Sequence, residues 1–481
     1  MVGRAAGVVA AAALLSACTV GPDYVRPDIQ SPERWRIEYP QATNIANTRW
    51  WEQFSDPVLN QLIDTALREN RDLVIAAARV DQFVGQLSVV RSQFYPQIGY
   101  SLDASRNRAS RVGQPPLAPG ADPYYSLYQG ALSADWQIDL FGRVRRQSES
   151  AQAQLYASEQ GRRGVVLSLV TSVAASYIAL RALDRQLEIS RATATNYAGT
   201  LKIFELRFKG GVVSELELAQ VQSQYQQALA AIPALEQQIA AAENLISVLL
   251  GRNPGPIPRG RAMGALVPPG IPSGLPSELL ERRPDILQAE QILVSTNANI
   301  GAAKALYFPS LSLTGILGSV STAFSDFLSG SAAAASAAAG LTGPIFTGGG
   351  ISGQVEGAEA SQREALANYQ QVILNAFRET NDALLGTLKK REETEAQTKR
   401  VSALREYARL SRLRFDNGYA GYLEVLYAEN ELFGAELAAV RSQAEAYTQL
   451  VNVFKAVGGG WVDEAEKLAP RPTLTGGAAA R

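Results

Sequence analysis

Histidine is missing from the entire chain. Its absence removes the side chain most often used as a general acid or base near neutral pH, and with it the commonest zinc ligand. Cysteine occurs once, at Cys18, so no internal disulfide can form and no thiolate cluster can hold a metal. Two methionines are too few for a soft-metal relay. An excess of one charge sign is also lacking: 45 Lys plus Arg stand against 46 Asp plus Glu, which leaves no electrostatic footprint for nucleic acid. Neither a G-x-S-x-G turn nor a phosphate-binding glycine loop occurs, and carboxylate pairs such as Glu392-Glu393 or Asp56 with Glu52 read as solvated helix faces. No enzyme chemistry, cofactor or metal is expected.

What the amino terminus does have is an export signal. Arg4 supplies the positive charge, and the apolar run from Val8 to Leu15 ends in the small residues Ser16 and Ala17. The run is too short to span a bilayer as a helix, which takes about 20 residues. Leu15-Ser16-Ala17-Cys18 has the form of a bacterial lipobox. Cleavage after residue 17 would leave Cys18 to carry acyl chains, which explains a solitary cysteine better than a structural role does. The alternative is an incidental cysteine in a discarded signal.

The remainder is a tandem repeat. Asp72, Arg91 and Phe94-Tyr95-Pro96 correspond to Asp285, Lys304 and Tyr307-Phe308-Pro309 at a constant offset (285 − 72 = 213). Further on, Leu206-Arg207-Phe208, Gly211, Leu216 and Glu217 recur as Leu413-Arg414-Phe415, Gly418, Leu423 and Glu424 (414 − 207 = 207), and Gly251 and Gly458 close the copies. Each copy reads as helix, strand, strand, very long helix, turn, helix. Residues 143–209 and 349–416 contain no proline, so each can run unbroken for roughly 100 Å. Return helices are expected over 214–250, bent at Pro233, and over 421–457. Stacked end to end with 72–94 and 285–306, they would flank the long helices.

Strands are expected over about 97–108 and 124–139 in the first copy and 310–320 and 331–345 in the second. Leu132, Ala134, Trp136 and Ile138 alternate with Ser133, Asp135, Gln137 and Asp139, and Ile98, Tyr100, Leu102 and Ala104 repeat the pattern. The last strand is Ala- and Gly-rich and alternates poorly. Such segments fit a membrane β-barrel, or else a half-buried soluble sheet. Four strands cannot close alone in lipid, so several chains must pool them. Alternation does not choose dimer, trimer or tetramer. The domain plan is therefore 1–17 signal, 18–57 lipidated segment, 58–250 first repeat, 251–277 Pro/Gly-rich linker, 278–457 second repeat and 458–481 tail. The linker, residues 28–57 and the tail are expected to form a belt around the helices, with 475–481 disordered.

The ordered landmarks resemble the TolC-like outer membrane factors, specifically the lipidated branch serving resistance-nodulation-division (RND) efflux pumps. The resemblance rests on Cys18 with Gly21-Pro22-Asp23-Tyr24, Trp50-Trp51, Asp56-Pro57, Asp139-Leu140-Phe141-Gly142-Arg143, Arg282-Arg283-Pro284-Asp285-Ile286, Gly301-Ala302-Ala303-Lys304 and Gly458-Gly459-Gly460-Trp461. It implies an α+β membrane protein: a homotrimer whose twelve-stranded barrel continues into a long periplasmic α-helical barrel, with a mixed equatorial domain. It further implies partnership with a periplasmic adaptor and an inner-membrane RND transporter, with a type I secretion system as the alternative client. Nucleic acid is no partner, and the covalent lipid on Cys18 is the sole attached group. The periplasmic gate or adaptor contact would involve Arg207, Gly211, Val213, Glu217, Arg414, Asp416, Gly418, Tyr422 and Glu424. Glu217 and Glu424 align with acidic pore residues of the family, or else lie on a solvated face. Arg207 and Arg414 could instead simply complement helix C-termini. Ala420 and Tyr427 stand where relatives carry charge, which weakens the implied acidic constriction.

Overall fold

The computed structural model describes residues 19–32, 34–37, 47–112, 117–118, 120–272 and 276–474. Residues 1–18, including the signal segment and Cys18, and the terminal 475–481 lie outside the described residues. The principal elements are helices α1 (Pro57–Glu69) and α2 (Arg71–Ser92), strands β1 (Gln97–Arg108) and β2 (Tyr124–Ile138), then helices α3 (Arg143–Lys209), α4 (Glu215–Leu249) and α5 (Pro284–Lys304). Strands β3 (Ser310–Ser321) and β4 (Ala333–Thr342) follow, and helices α6 (Gly350–Asp416), α7 (Tyr422–Val457) and α8 (Trp461–Glu466) complete the chain.

Each long helix has 67 residues, a length of roughly 100 Å. Nothing in either span removes a backbone N–H, and both start after a left-handed glycine, Gly142 or Gly349. An 18-residue window of α3 has a mean hydropathy of 1.7, enough to cross a membrane by composition, yet 67% of it is buried among neighbouring helices. Its apolar character serves packing: α3 lies against α2, α4, α5 and α7, while α6 lies against α5 and α7. Helix α4 continues through Pro233 without interruption.

The short helices are joined end to end. Asn70 caps α2 by accepting from Leu73 N at 3.1 Å, and its own amide donates to Leu249 O at the end of α4, 2.9 Å away. In the second copy Arg283 performs the same splice: its guanidinium donates to Ala456 O at 3.0 Å while pairing with Asp285 at 2.6 Å and Glu379 at 2.9 Å. Two half-length helices thereby run beside each long one.

The sheet is a four-stranded antiparallel meander, β1-β2-β3-β4. Its register places Tyr100 opposite Leu132, Leu132 opposite Leu317 and Leu317 opposite Ala335, so that one face is apolar along the stretch nearer the helices. The other face carries Gln97, Ser101, Asp103, Ser133, Asp135, Ser312 and Thr314. Strand β4 occupies 333–342, shorter than its composition predicts, because residues 330–332 form a helical turn. The described residues leave most of the apolar face uncovered: Ile98, Tyr100 and Leu102 are 78, 81 and 74% exposed.

A belt wraps the helices. Trp50, Trp51, Phe54, Phe454 and Trp461 form an aromatic core, with Trp50 stacked on Phe454 at 4.8 Å between ring centroids and Trp461 edge-on to Trp51 at 5.8 Å. Each buried ring contributes on the order of 2–3 kcal/mol. The amino-terminal strand of chain descends along α3 and α5: Val20 N donates to Phe141 O at 3.2 Å, Arg146 pairs with Asp23 at 2.7 Å, and Tyr24 OH donates to Glu290 at 3.2 Å. Asp56, fully buried, locks the belt. It accepts from Val58 N, from Tyr177 OH and from Arg261 N, each at 2.9 Å, joining α1, α3 and the linker.

Candidate channel tip and membrane face

The end of the helices remote from the sheet is made of two similar turns. After α3, Gly211 takes a φ of +71° and Val212 N donates to Arg207 O at 2.9 Å. After α6, Gly418 takes +77° and Tyr419 N donates to Arg414 O at 2.8 Å. Both are glycine-terminated helix ends, with the left-handed residue satisfying carbonyls that a further turn would have bonded.

The two copies then diverge. Ser214 precedes α4, and its hydroxyl accepts from Glu217 N at 3.2 Å while Ser214 N donates to the Glu217 carboxylate at 2.8 Å. This is a capping box, and the Ser-x-x-Glu spacing carries that signature in the sequence. The backbone N–H of Ser214 holds the Glu217 carboxyl below the usual carboxylate range, with the Ser214 hydroxyl adding to the effect. In the second copy the position equivalent to Ser214 is Gly421, which has no side chain to cap with. Glu424 is consequently free of the cap and pairs with Arg414 at 2.8 Å. Aligned carboxylates thus do different work because one residue three positions earlier differs.

Among the described residues Arg207 has no such partner and instead lies over Phe204 and Phe415, 6.0 and 5.6 Å from their ring centroids. Asp416 pairs with Arg412 one turn earlier at 3.5 Å. Tyr422 is buried, its ring 4.3 Å from Phe204 and 5.0 Å from Phe415, with Val213 packed beside them. Burial first, and the charge of Glu429 second, push the Tyr422 hydroxyl up to about 12. Burial also raises the Glu429 carboxyl, against the lowering effect of Arg412. The tip therefore brings Arg207, Val213 and Tyr422 into one aromatic cluster joining the two turns, and leaves Gly211, Gly418, Arg414 and Asp416 on the surface.

Around that cluster the surface is apolar in matched pairs. Leu206 with Leu413, Val212 with Tyr419, and Leu216 with Leu423 are all exposed and all related by the repeat offset (419 − 212 = 207). The four leucines were legible only as repeat partners, and Val212 and Tyr419 not at all, since an exposed apolar side chain has no local signature. Among the described residues no cluster of His, Cys, Asp and Glu could hold a metal ion.

A membrane-height sheet with one bare apolar face, continued by roughly 100 Å helices that end in a polar-apolar tip, defines a duct subunit. Comparison with known proteins agrees. The family model described as outer membrane efflux protein matches residues 62–252 and 275–459, and the chain belongs to that family. The solvent efflux pump outer membrane protein SrpC of Pseudomonas putida is 32% identical over 459 residues, covering 93% of this chain and 96% of that protein. The probable outer membrane lipoprotein SilC of Salmonella typhimurium is 31% identical, covering 94 and 97%. Among solved structures, the outer-membrane channel OprN superposes with a TM-score of 0.83 at 30% identity, covering 92% of this chain and all (100%) of that one. The MtrE outer membrane channel of Neisseria gonorrhoeae gives 0.81 at 27% identity, covering 95 and 100%. The protein is an outer-membrane efflux channel subunit with the TolC-like fold.

Proposed function

We propose that three copies of this chain close a twelve-stranded barrel and a helical duct, forming the passive exit of a tripartite RND-type pump. The observation that carries this reading is the open sheet. Among the described residues strands β1 and β4 each present an unpaired edge, and the apolar face next to them is largely bare. Backbone groups unpaired in hydrocarbon cost several kcal/mol each, so the edges must meet those of other copies. Three chains of four strands give an even-numbered barrel wide enough for a lumen.

The inner-membrane transporter delivers substrate through an adaptor that grips the exposed apolar pairs at the tip. Arg414 and Glu424 form a latch on one hairpin, and the Glu424 carboxylate, repeated by symmetry, ranks entering solutes by charge. Acylation of Cys18 fits the geometry nearby. Val20 is bonded to Phe141 at the junction of sheet and helices, so a lipid on the preceding residues enters the inward leaflet beside the barrel. Multiple acyl chains would anchor there stably.

The test is reconstitution of the purified protein in planar bilayers, with mass analysis of its amino terminus. Discrete conductance steps are expected, with a Cys18 that carries diacylglycerol on its thiol and an acyl chain on its amine. A chain that binds bilayers without conducting is a linking lipoprotein, and Cys18→Ser with unchanged mass and extraction removes the anchor.

A further inference from the structure

The membrane face of β1 does not end as it begins. Residues on its lipid side run Ile98, Tyr100, Leu102, Ala104 and then Arg106 and Arg108. The register sets Arg106 opposite Ser126 and Arg108 opposite Tyr124, and the Arg108 guanidinium lies 5.7 Å from the Tyr124 ring centroid. Tyr128, on the same face, meets Phe324 edge-on at 5.5 Å, marking an aromatic rim at the end of the sheet remote from the helices. At about 3.3 Å per residue and a tilt near 40°, Arg106 and Arg108 stand roughly 20 and 25 Å above Ile98, the height of an outer-membrane apolar band. The guanidinium groups therefore lie where hydrocarbon gives way to the headgroups of the outward leaflet.

Neither arginine forms an ion pair among the described residues. Asp103, the carboxylate of the same strand, is on the opposite face across from Gln129, and Asp122 accepts from Tyr124 N at 2.9 Å. Arg111 follows in the same hairpin and is also exposed. A guanidinium facing hydrocarbon is costly and one facing bulk water needs no aromatic platform; at the rim it can extend its stem over apolar surface and place its fork on an anion. Arginine matches phosphate oxygens in a two-point contact that lysine cannot make.

We propose that Arg106 and Arg108 form, on each protomer, a binding site for the phosphorylated headgroup of an outward-leaflet glycolipid. The site rests on the barrel reading above, and it fastens the barrel at its outer rim as the acyl chains fasten it at the inner one.

The full-length protein, purified in detergent, is titrated with bisphosphorylated lipid A and with the same lipid after removal of its phosphates, and bound lipid is counted by native mass spectrometry. Bisphosphorylated lipid is expected to bind roughly thirtyfold more tightly, from about 1 kcal/mol for each of the two cations near an anionic surface. Equal affinity for the two lipids overturns the proposal without reference to any variant. Arg106→Gln/Arg108→Gln abolishes the preference, and Arg106→Lys/Arg108→Lys restores part of it. A Gln pair that keeps the full preference also overturns it. Displacement of bound lipid by millimolar inorganic phosphate assigns the arginines to the free anion and removes the lipid. Planar-bilayer conductance of the same preparations reports the barrel separately: a preparation that never conducts refutes the barrel, whereas one that conducts without lipid preference refutes only this site.

Discussion

The end-to-end splice between α4 and α2 can be broken by a single methyl group. Gly251 has a φ of +72°, and a Cβ built there would stand 2.2 Å from Glu69 O and 2.9 Å from Glu69 C. Gly211, at the tip, has nearly the same φ, +71°, with nothing within 4 Å of its Cβ position. Alanine at Gly211 meets only the left-handed strain, about 1–2 kcal/mol. Alanine at Gly251 meets the same strain plus an overlap with backbone that cannot rotate away, adding roughly 1–3 kcal/mol. The helix junction would have to part, costing also the Asn70 bond to Leu249 O. Gly251→Ala is therefore expected to lower the denaturation midpoint of the helical circular-dichroism signal clearly more than Gly211→Ala. The comparison cancels effects common to both substitutions. Equal shifts for the two variants would refute the splice as a close backbone contact.

Three further outcomes follow from the same geometry. Asp56→Ala removes a helix cap and strands the buried Tyr177 hydroxyl and Arg261 N–H, a loss of about 3–5 kcal/mol that thermal unfolding should register, with Asp56→Asn recovering part of it. Because the folded-state Glu217 carboxyl is held below its ordinary value of 4.5, its stabilisation of the α4 cap is complete above that value and is lost as pH falls below it. Protection factors of the first α4 amides, corrected for the intrinsic pH dependence of exchange, should fall on acidification in the native protein and not in Glu217→Gln. The Arg414–Glu424 pair is 56 and 28% exposed, so it contributes no more than about 1 kcal/mol. Glu424→Gln is expected to change open probability less than roughly fivefold and to reduce cation preference, read in single-channel records; unchanged cation preference would take Glu424 out of the pore.

The long helices were legible because their evidence is local and cumulative: 67 residues without proline admit few other structures. The first three strands were legible through alternation, whereas β4 was not, since Ala333 to Ala339 offers no polarity contrast and only its neighbour β3 sets its register. At the tip the repeat exposed the paired arginines, glycines and glutamates, but not what each one does. Glu217 and Glu424 align, and the Ser214 or Gly421 upstream decides that one caps a helix while the other holds an arginine. The belt was the least legible part. Contacts such as Tyr177 with Asp56 lie 121 residues apart and leave no periodic trace. The same holds for Tyr422, whose burial follows from Phe204 and Phe415 on two other helices.

A sheet of four strands with two open edges leaves the conduit incomplete in any single chain. Native mass spectrometry of the detergent-extracted, full-length protein counts the chains in each particle directly. Three chains per particle, with β-sheet signal retained, are expected; a stable monodisperse monomer that keeps its folded sheet would rule out a shared barrel.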